Sequence, residues 1–290
     1  MKSKFKISLI LTSDQRREFE FRRFLEGLAT QTTQCPMNLY FVNQSSKNID
    51  FNLGNSDLNI DVISTGPLGL SSARNIGLSR LAPLDNSQEI IGFPDDDCWY
   101  SNDLLESVTK YFELNPEVNC ICTNVFDPEN QKSYGGRPIN VERDVTFRNI
   151  FKLPISVGIF IRRNVFNTNQ IHFKEYLGAG TRLGSGEETE LISRLLESGC
   201  KIKYVGKIQV FHPVSDYIEN DVLKHYKYAC GFGHLVRTLL RRKHLSVLPF
   251  YLETFSRSLI GIIWFITNKI KRRVYMARII GMIKGFLGAA

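Results

Sequence analysis

Three short stretches of the 290-residue chain carry side chains whose types and spacing suit chemistry. The first, EIIGFPDDDCWY (89 to 100), ends an apolar run on Asp95, Asp96 and Asp97. Adjacent carboxylates repel one another and need a counter-charge. A hard divalent cation, Mg²⁺ or Mn²⁺, takes oxygen ligands of this kind together with substrate phosphates, and Asp95 and Asp97 are two apart, as a turn would present them. The competing reading makes the aspartates the acidic first turn of a helix with Ser101 as its N-cap.

The second stretch, GPLGLSSARNIGL (66 to 78), reads as a glycine-bearing loop feeding a helix. Ser71 or Ser72 can cap that helix, its N-terminus suits an anion, and Arg74 adds a mobile cation on the first turn. Without Arg74 the same pattern is a plain turn and cap. The third, GSGEETEL (184 to 191), sets Glu187 and Glu188 at a helix start, where a carboxylate can serve as a general base. Ser185 to Glu188 also matches the capping box, in which Glu188 only bonds back to the N-cap amide.

These stretches need a frame to hold them. KISLILT, NLYFVNQ, LNIDVIS and EIIGF read as strands, EFEFRRFLEGLATQT as an amphipathic helix, and the alternation implies a mostly parallel sheet covered by helices. In such sheets ligands sit at the strand C-termini, which is where the aspartates fall. NCICTNVF and PISVGIFIRR predict further strands, GEETELISRLLESG a helix ended by Gly199, and KIKYVGKIQVFHP one or two strands. NIDFNLGNSDLN is expected to be a surface loop, and the chain is helical from about 219.

Charge is distributed unevenly. From residue 236 onward eleven Lys and Arg face one acid, Glu253, leaving 26 of the 37 basic and 28 of the 29 acidic residues before it. A nearly neutral body with a basic appendage argues against a nucleic-acid enzyme. The six cysteines form no C-x-x-C pair, so reduced buried thiols and a cytosolic setting are expected. The N-terminal apolar run is too short for a signal-peptide core and reads as the first strand.

Taken in order, ISLILTSD, FLEGLATQT, LSSARNIGL, FPDDD and GEETEL resemble the family 2 glycosyltransferases, which have the GT-A fold, over roughly residues 5 to 235. The resemblance implies an inverting sugar transfer from a nucleotide donor to an acceptor hydroxyl, with Asp97 on the cation that bridges the diphosphate. Asp95 would contact the ribose, Arg74 the diphosphate or sugar, and Thr12 the nucleoside. Asp96 falls among the donor contacts with no role argued for it. Glu188 stands where the family has its catalytic Asp, with Glu187 in reserve, and His212 in VFHP stands where related enzymes often carry a histidine, a further metal ligand or a structural residue. VNQSS departs from the family's usual DDGS or DQS, and Asn43 can still pair with a pyrimidine edge, which implies a UDP-sugar.

The fold class expected is therefore α/β, a GT-A domain over 1–218 with a basic, amphipathic helical extension over 219–290. In the extension, the apolar run 258 to 268 is about half of the ~20 residues a bilayer span requires. Helical spacing puts Met276, Ile280, Ile283 and Leu287 on one side, with Arg273, Lys284, Ala277 and Gly281 on another. That pattern suits a helix lying in a membrane interface, with KIKRR attracted to anionic lipid. A helical subdomain packed on the core, or a dimer contact, accounts for it equally. HYKYACGFGHL resembles a Y-x-x-G-x-G stretch of bacterial polysaccharide glycosyltransferases that would bring the site near a lipid-linked acceptor at the inner face of the membrane. A helical turn with close glycine packing explains the same residues.

Three other functions compete. A haloacid-dehalogenase-type phosphatase wants Thr or Val where Trp99 stands, and a nucleotidyltransferase wants glycines that LTSDQRRE lacks. A non-catalytic nucleotide-sugar-binding or membrane scaffold protein with the same fold remains open because of VNQSS.

Overall fold

The protein is described here as a computed structural model covering residues 5–47, 58–81, 88–165, 172–214 and 222–289. The strands are β1 (Phe5–Ser13), β2 (Met37–Asn43), β3 (Leu58–Ser64), β4 (Gln88–Gly92), β5 (Cys120–Asp127), β6 (Lys132–Ser133), β7 (Glu142–Asp144), β8 (Ile159–Arg162) and β9 (Ile202–Phe211). The helices among the described residues are α1 (Glu18–Ala29), α2 (Leu70–Ser79), α3 (Leu104–Leu114), α4 (Glu187–Glu197), α5 (Val222–Arg241), α6 (Leu248–Trp264) and α7 (Lys269–Leu287).

One sheet runs β3-β2-β1-β4-β8-β5-β9-β7, with β6 on β5. β1 to β4 are mutually parallel, β8 lies antiparallel between β4 and β5, and β9 runs parallel to β5. The ends of β1, β4, β5 and β9 therefore open on one edge, as the βαβ alternation predicts. The KIKYVGKIQVF segment is one strand with a register shift opposite Thr123 and Asn124. PISVGIFIRR begins with a 3₁₀ turn at Ser156–Gly158 and extends only over β8.

Alternation along β1 builds two cores. Ile7, Leu9 and Leu11 face α1 and α3 through Phe24, Leu28, Leu105 and Phe112, whereas Ile10 faces the layer containing Ala73 of α2 and Leu191 and Leu195 of α4. Leu235, Val236 and Leu239 of α5 and Val247 belong to this second core, so the C-terminal helices share apolar packing with the sheet. The expected boundary at 218/219 and most of the loop NIDFNLGNSDLN lie outside the described residues.

Small residues pull the C-terminal helices together. A Cβ on Gly285 would come within 2.1 Å of the Cys230 carbonyl, and one on Gly281 within 2.5 Å of the Tyr226 carbonyl. Ala277, Gly281 and Gly285 are thus the buried seam of α7 against α5. Ala277 and Gly281 lie on the side of α7 that also carries Arg273 and Lys284, but the i, i+4 spacing of small residues lets two backbones touch, so the small residues are buried against α5 while Arg273 and Lys284 stay exposed at the edge of that contact. Met276, Ile280, Ile283 and Leu287 are exposed. No helix among the described residues is long and apolar enough to cross a membrane. All six cysteines are free thiols.

Candidate active site

The aspartates follow β4 in a turn that two other strands pin. Thr12, at the end of β1, makes a parallel bridge with Asp95. Trp99 exchanges backbone hydrogen bonds with Phe211 of β9, Trp99 N donating at 2.9 Å and Phe211 N at 3.0 Å. Arg23 of α1 stacks its guanidinium 3.4 Å over the Trp99 ring. α3 begins only at Leu104, with Asp103 at its cap and no side-chain cap bond. Asp95 to Asp97 are consequently not a helix's first turn, and Ser101 is not its N-cap.

The bridge to β9 brings His212 to the aspartates. His212 Nε2 lies 3.1 Å from Asp97 Oδ1, and His212 Nδ1 lies 2.7 Å from the Pro213 carbonyl. That carbonyl can only accept, so Nδ1 carries the hydrogen. Burial, against the pull of Asp95, pushes the imidazole pKa down from its ordinary value. In the neutral ring Nε2 then turns a lone pair toward a carboxylate oxygen, two acceptors 3.1 Å apart. Imidazole nitrogen plus carboxylate oxygen suits Mn²⁺ or Mg²⁺. Among the described residues no group of three or more His, Cys, Asp or Glu side chains converges as a complete cage. A cation held by these two side chains would leave its other positions to diphosphate oxygens and water.

Each aspartate has a different partner. Asp95 Oδ1 accepts from Arg74 Nη2 at 2.8 Å. Asp96 Oδ2 accepts from Ser13 Oγ at 2.6 Å, and burial raises its pKa, with Ser13 and Arg17 pulling it back. Asp97 is paired with Arg17, whose Nη1 also lies 3.6 Å from Asp96 Oδ1. Neither Arg17 nor Ser13 stood out in the sequence. Both follow from the parallel pairing of β1 with β4, which places the two strand-end loops side by side.

Arg74 differs most from its expectation. The helix starts after Gly69 with no side-chain cap, and Leu70 N donates to the Ala179 carbonyl at 3.0 Å. Ser71, Arg74 and Gly77 form the inward face of α2, and Arg74 is 0% exposed. It is a fixed buried cation and not a mobile one, spanning Asp95 on one side and Glu187 Oε1, 3.6 Å from Nη1, on the other. Its Nε and Nη1 have no hydrogen-bond acceptor. The rest of the motif stitches the loop that leads into α4. Ser71 Oγ donates to the Leu177 carbonyl at 2.7 Å, and Asn75 Nδ2 donates to the Phe173 carbonyl at 2.9 Å.

At the start of α4 the N-cap is Gly186, with φ of 96°, and no side chain caps it. Ser185 Oγ donates instead to the Tyr228 carbonyl at 2.8 Å, which excludes the capping box. Close contact with α5 forces this: a Cβ on Gly231 would lie 2.3 Å from the Ser185 carbonyl. The α5 glycines thus serve close packing and position the loop that carries the glutamates. Glu187 is buried, and burial together with the neighbouring Glu188 pushes its pKa up to about 8 despite Arg74. It is turned inward and holds its proton at neutral pH. Glu188 is half-buried. Its charge is felt by Tyr228, whose hydroxyl is pushed up to about 12 chiefly by burial. Tyr134, beside Tyr228, meets the His212 ring edge-on at 5.9 Å. The structure therefore gathers Asp95, Asp96, Asp97, His212, Arg74, Glu187 and Glu188 in one region at the strand ends.

Thr12 and Asn43 stand at the same edge. The Asn43 amide, expected to face a nucleobase, is occupied within the chain: Oδ1 accepts from Gln15 Nε2 at 2.8 Å and Ser45 N at 2.9 Å, and Nδ2 donates to the Lys47 carbonyl at 3.1 Å.

Comparison with known proteins agrees with the fold. No curated protein matches the chain. Among solved structures, S. aureus TarS superposes with a TM-score of 0.57 at 16% identity, over 97% of this chain and 54% of that one, so the chain spans about half of TarS. TarS 1–349 in complex with UDP-GlcNAc gives a TM-score of 0.56 at 14% identity, over 98% of this chain and 92% of the other. The mannosyltransferase PcManGT from Pyrobaculum calidifontis, in complex with GDP-Man and Mn²⁺, gives 0.63 at 12% identity, over 98% and 88%. At these identities the likeness concerns the fold, which is GT-A. The family described as Glycosyl transferase family 2 matches residues 16–172, more than half of the sequence and the part that contains the α2 and aspartate motifs, and the chain belongs to that family.

Proposed function

We propose that the protein is a metal-dependent, inverting glycosyltransferase that moves a sugar from a nucleotide-sugar donor to a hydroxyl of a glycan or lipid-linked acceptor. The observation that carries this reading is the facing pair Asp97 Oδ1 and His212 Nε2, 3.1 Å apart at the ends of β4 and β9. These two residues would hold Mn²⁺ or Mg²⁺, which would supply charge to offset the departing diphosphate. Asp95 contacts the nucleotide and is itself oriented by Arg74. Glu188 accepts the acceptor's hydroxyl proton as that oxygen bonds to the anomeric carbon. The bond from that carbon to the diphosphate breaks with inversion, and the nucleoside diphosphate leaves. Glu187, turned toward Arg74 with its pKa pushed up to about 8, is the reserve base, a role open to it only once that proton is lost.

A UDP-sugar is the donor proposed for test, although the Asn43 amide that suggested it is taken up by Gln15, Ser45 and Lys47, and capsule, exopolysaccharide or O-antigen synthesis is the proposed setting. Incubation with Mn²⁺ and a panel of UDP- and GDP-sugars is expected to release nucleoside diphosphate slowly from one of them, read by a coupled phosphate assay. No release from any donor, with or without candidate acceptors, would favour the non-catalytic scaffold.

Residues 219–290 are read as a peripheral membrane attachment at the inner face of the cell membrane. Support comes from the exposed apolar side of α6 and the turn after it: Leu259, Ile260, Ile263, Trp264 and Ile266 face solvent, Trp264 at 78% exposure. Arg257, Lys269, Lys271, Arg272 and Arg273 flank them in the sequence. Apolar side chains ringed by basic ones match an anionic bilayer interface. The protein is expected to float with vesicles containing phosphatidylglycerol and to lose that binding in an Ile263→Glu, Trp264→Glu double variant. Equal flotation of both proteins would refute the attachment.

A further inference from the structure

Arg17 touches the aspartates from the solvent side. Its guanidinium pairs with Asp97 and lies 3.6 Å from Asp96 Oδ1, while 53% of its side chain stays exposed. Its neighbour Arg16 is engaged elsewhere, with Asp14 at 2.9 Å. The site's other guanidinium, on Arg74, is wholly buried between Asp95 and Glu187 and has no room to leave. Arg17 sits at the N-cap position of α1 with no side-chain cap bond, so its side chain is free to swing without disturbing the helix. The His212 side of Asp97 is separate: Arg17 meets Oδ2, whereas the histidine faces Oδ1.

Two cations on one carboxylate repel each other. A divalent ion between Asp97 Oδ1 and His212 Nε2 would meet the field of a guanidinium on the other oxygen of the same group, and of the two cations only Arg17 is tethered and exposed.

We propose that Arg17 is a tethered counter-cation of the aspartate cluster, neutralising Asp96 and Asp97 when no divalent ion is bound and yielding Asp97 when one binds. The proposal rests on the reading of Asp97 as a ligand of the ion. It sets the metal affinity of this chain below what its ligands alone would give, and couples ion entry to a swing of one side chain. Electrostatic neutralisation and ion competition act in opposite directions on two measurable quantities, which separates this role from one of merely orienting Asp97.

The test is Arg17→Gln on the full chain, with Arg17→Lys as the charge-keeping control. Mn²⁺ binding is titrated by the electron paramagnetic resonance signal of the free ion, alone and with UDP, and thermal unfolding is followed without metal. Arg17→Gln is expected to melt lower than wild type without metal and yet bind Mn²⁺ about fivefold tighter, the scale of a half-exposed ion pair, with Arg17→Lys near wild type. Weaker Mn²⁺ binding by Arg17→Gln would make Arg17 an orienting residue and overturn the proposal, as would unchanged affinity, and either result leaves the metal assignment standing. Failure of every variant and of wild type to bind Mn²⁺ would overturn both.

Discussion

Asp97→Ala is expected to lower transfer by about 10³-fold or more and to abolish saturable Mn²⁺ binding. Asp97 is the carboxylate that pairs with His212 among the described residues, and removing it would leave a lone imidazole where the proposed ion binds. A bound ion contributes several kcal/mol to stabilising a departing diphosphate, and about 4 kcal/mol corresponds to a 10³-fold rate. The variant is expected to fold, because Arg17 is half-exposed and keeps Asp96 as a partner. Loss of activity therefore has to appear with an unchanged melting profile. Full transfer by Asp97→Ala would remove the metal assignment. Asp97→Asn separates charge from shape: it keeps the size of the side chain and loses the anion, so it should fail as completely as alanine.

Glu188→Gln should leave donor binding within about twofold and reduce kcat by about 10² to 10⁴, the range for loss of a positioned proton acceptor. The neighbouring glutamate provides the contrast. Burial and Glu188 push Glu187 up to about 8, so at neutral pH glutamine resembles the protonated side chain already present. Glu187→Gln is then expected to stay within about fivefold of wild type, the scale of one neutral hydrogen bond. Donor affinity by isothermal titration and single-turnover rates measure the two effects apart. If Glu187→Gln loses turnover while Glu188→Gln keeps it, the roles are exchanged, and Arg74 would be a positioning residue for the true base.

Much of the frame is visible in local patterns. The strand LNIDVIS coincides with β3, and the helix GEETELISRLLESG coincides with α4 to within a residue or two at each end, because alternation at period two and at 3.6 is a property of neighbouring residues. Pairing of carboxylates is equally local, and the placing of DDD after a buried strand needs no long-range information. Readings that depended on a distant partner fared differently. Ser185 looks like a cap until α5 closes on its carbonyl and takes its hydroxyl. Asn43 looks like a free recognition edge until Gln15 and Lys47 consume it. Arg74 looks mobile until the loop at 172–183 folds over α2.

The sequence by itself determined which chemical groups are present and which elements carry them: three aspartates ending a strand, two glutamates opening a helix, an arginine on another helix and a basic, apolar tail. Only the tertiary structure decided which charges meet. Strand order places the ends of β1, β4 and β9 together, so Arg17 reaches Asp97 across 80 positions and His212 approaches the same carboxylate from 115 positions downstream. Parallel neighbours in a sheet are joined by long crossovers, and a residue's partner across such a crossover leaves no periodic trace in the residues beside it. For the same reason the helical spacing put Ala277 and Gly281 on one side of α7, and only the packing of α5 buried them there.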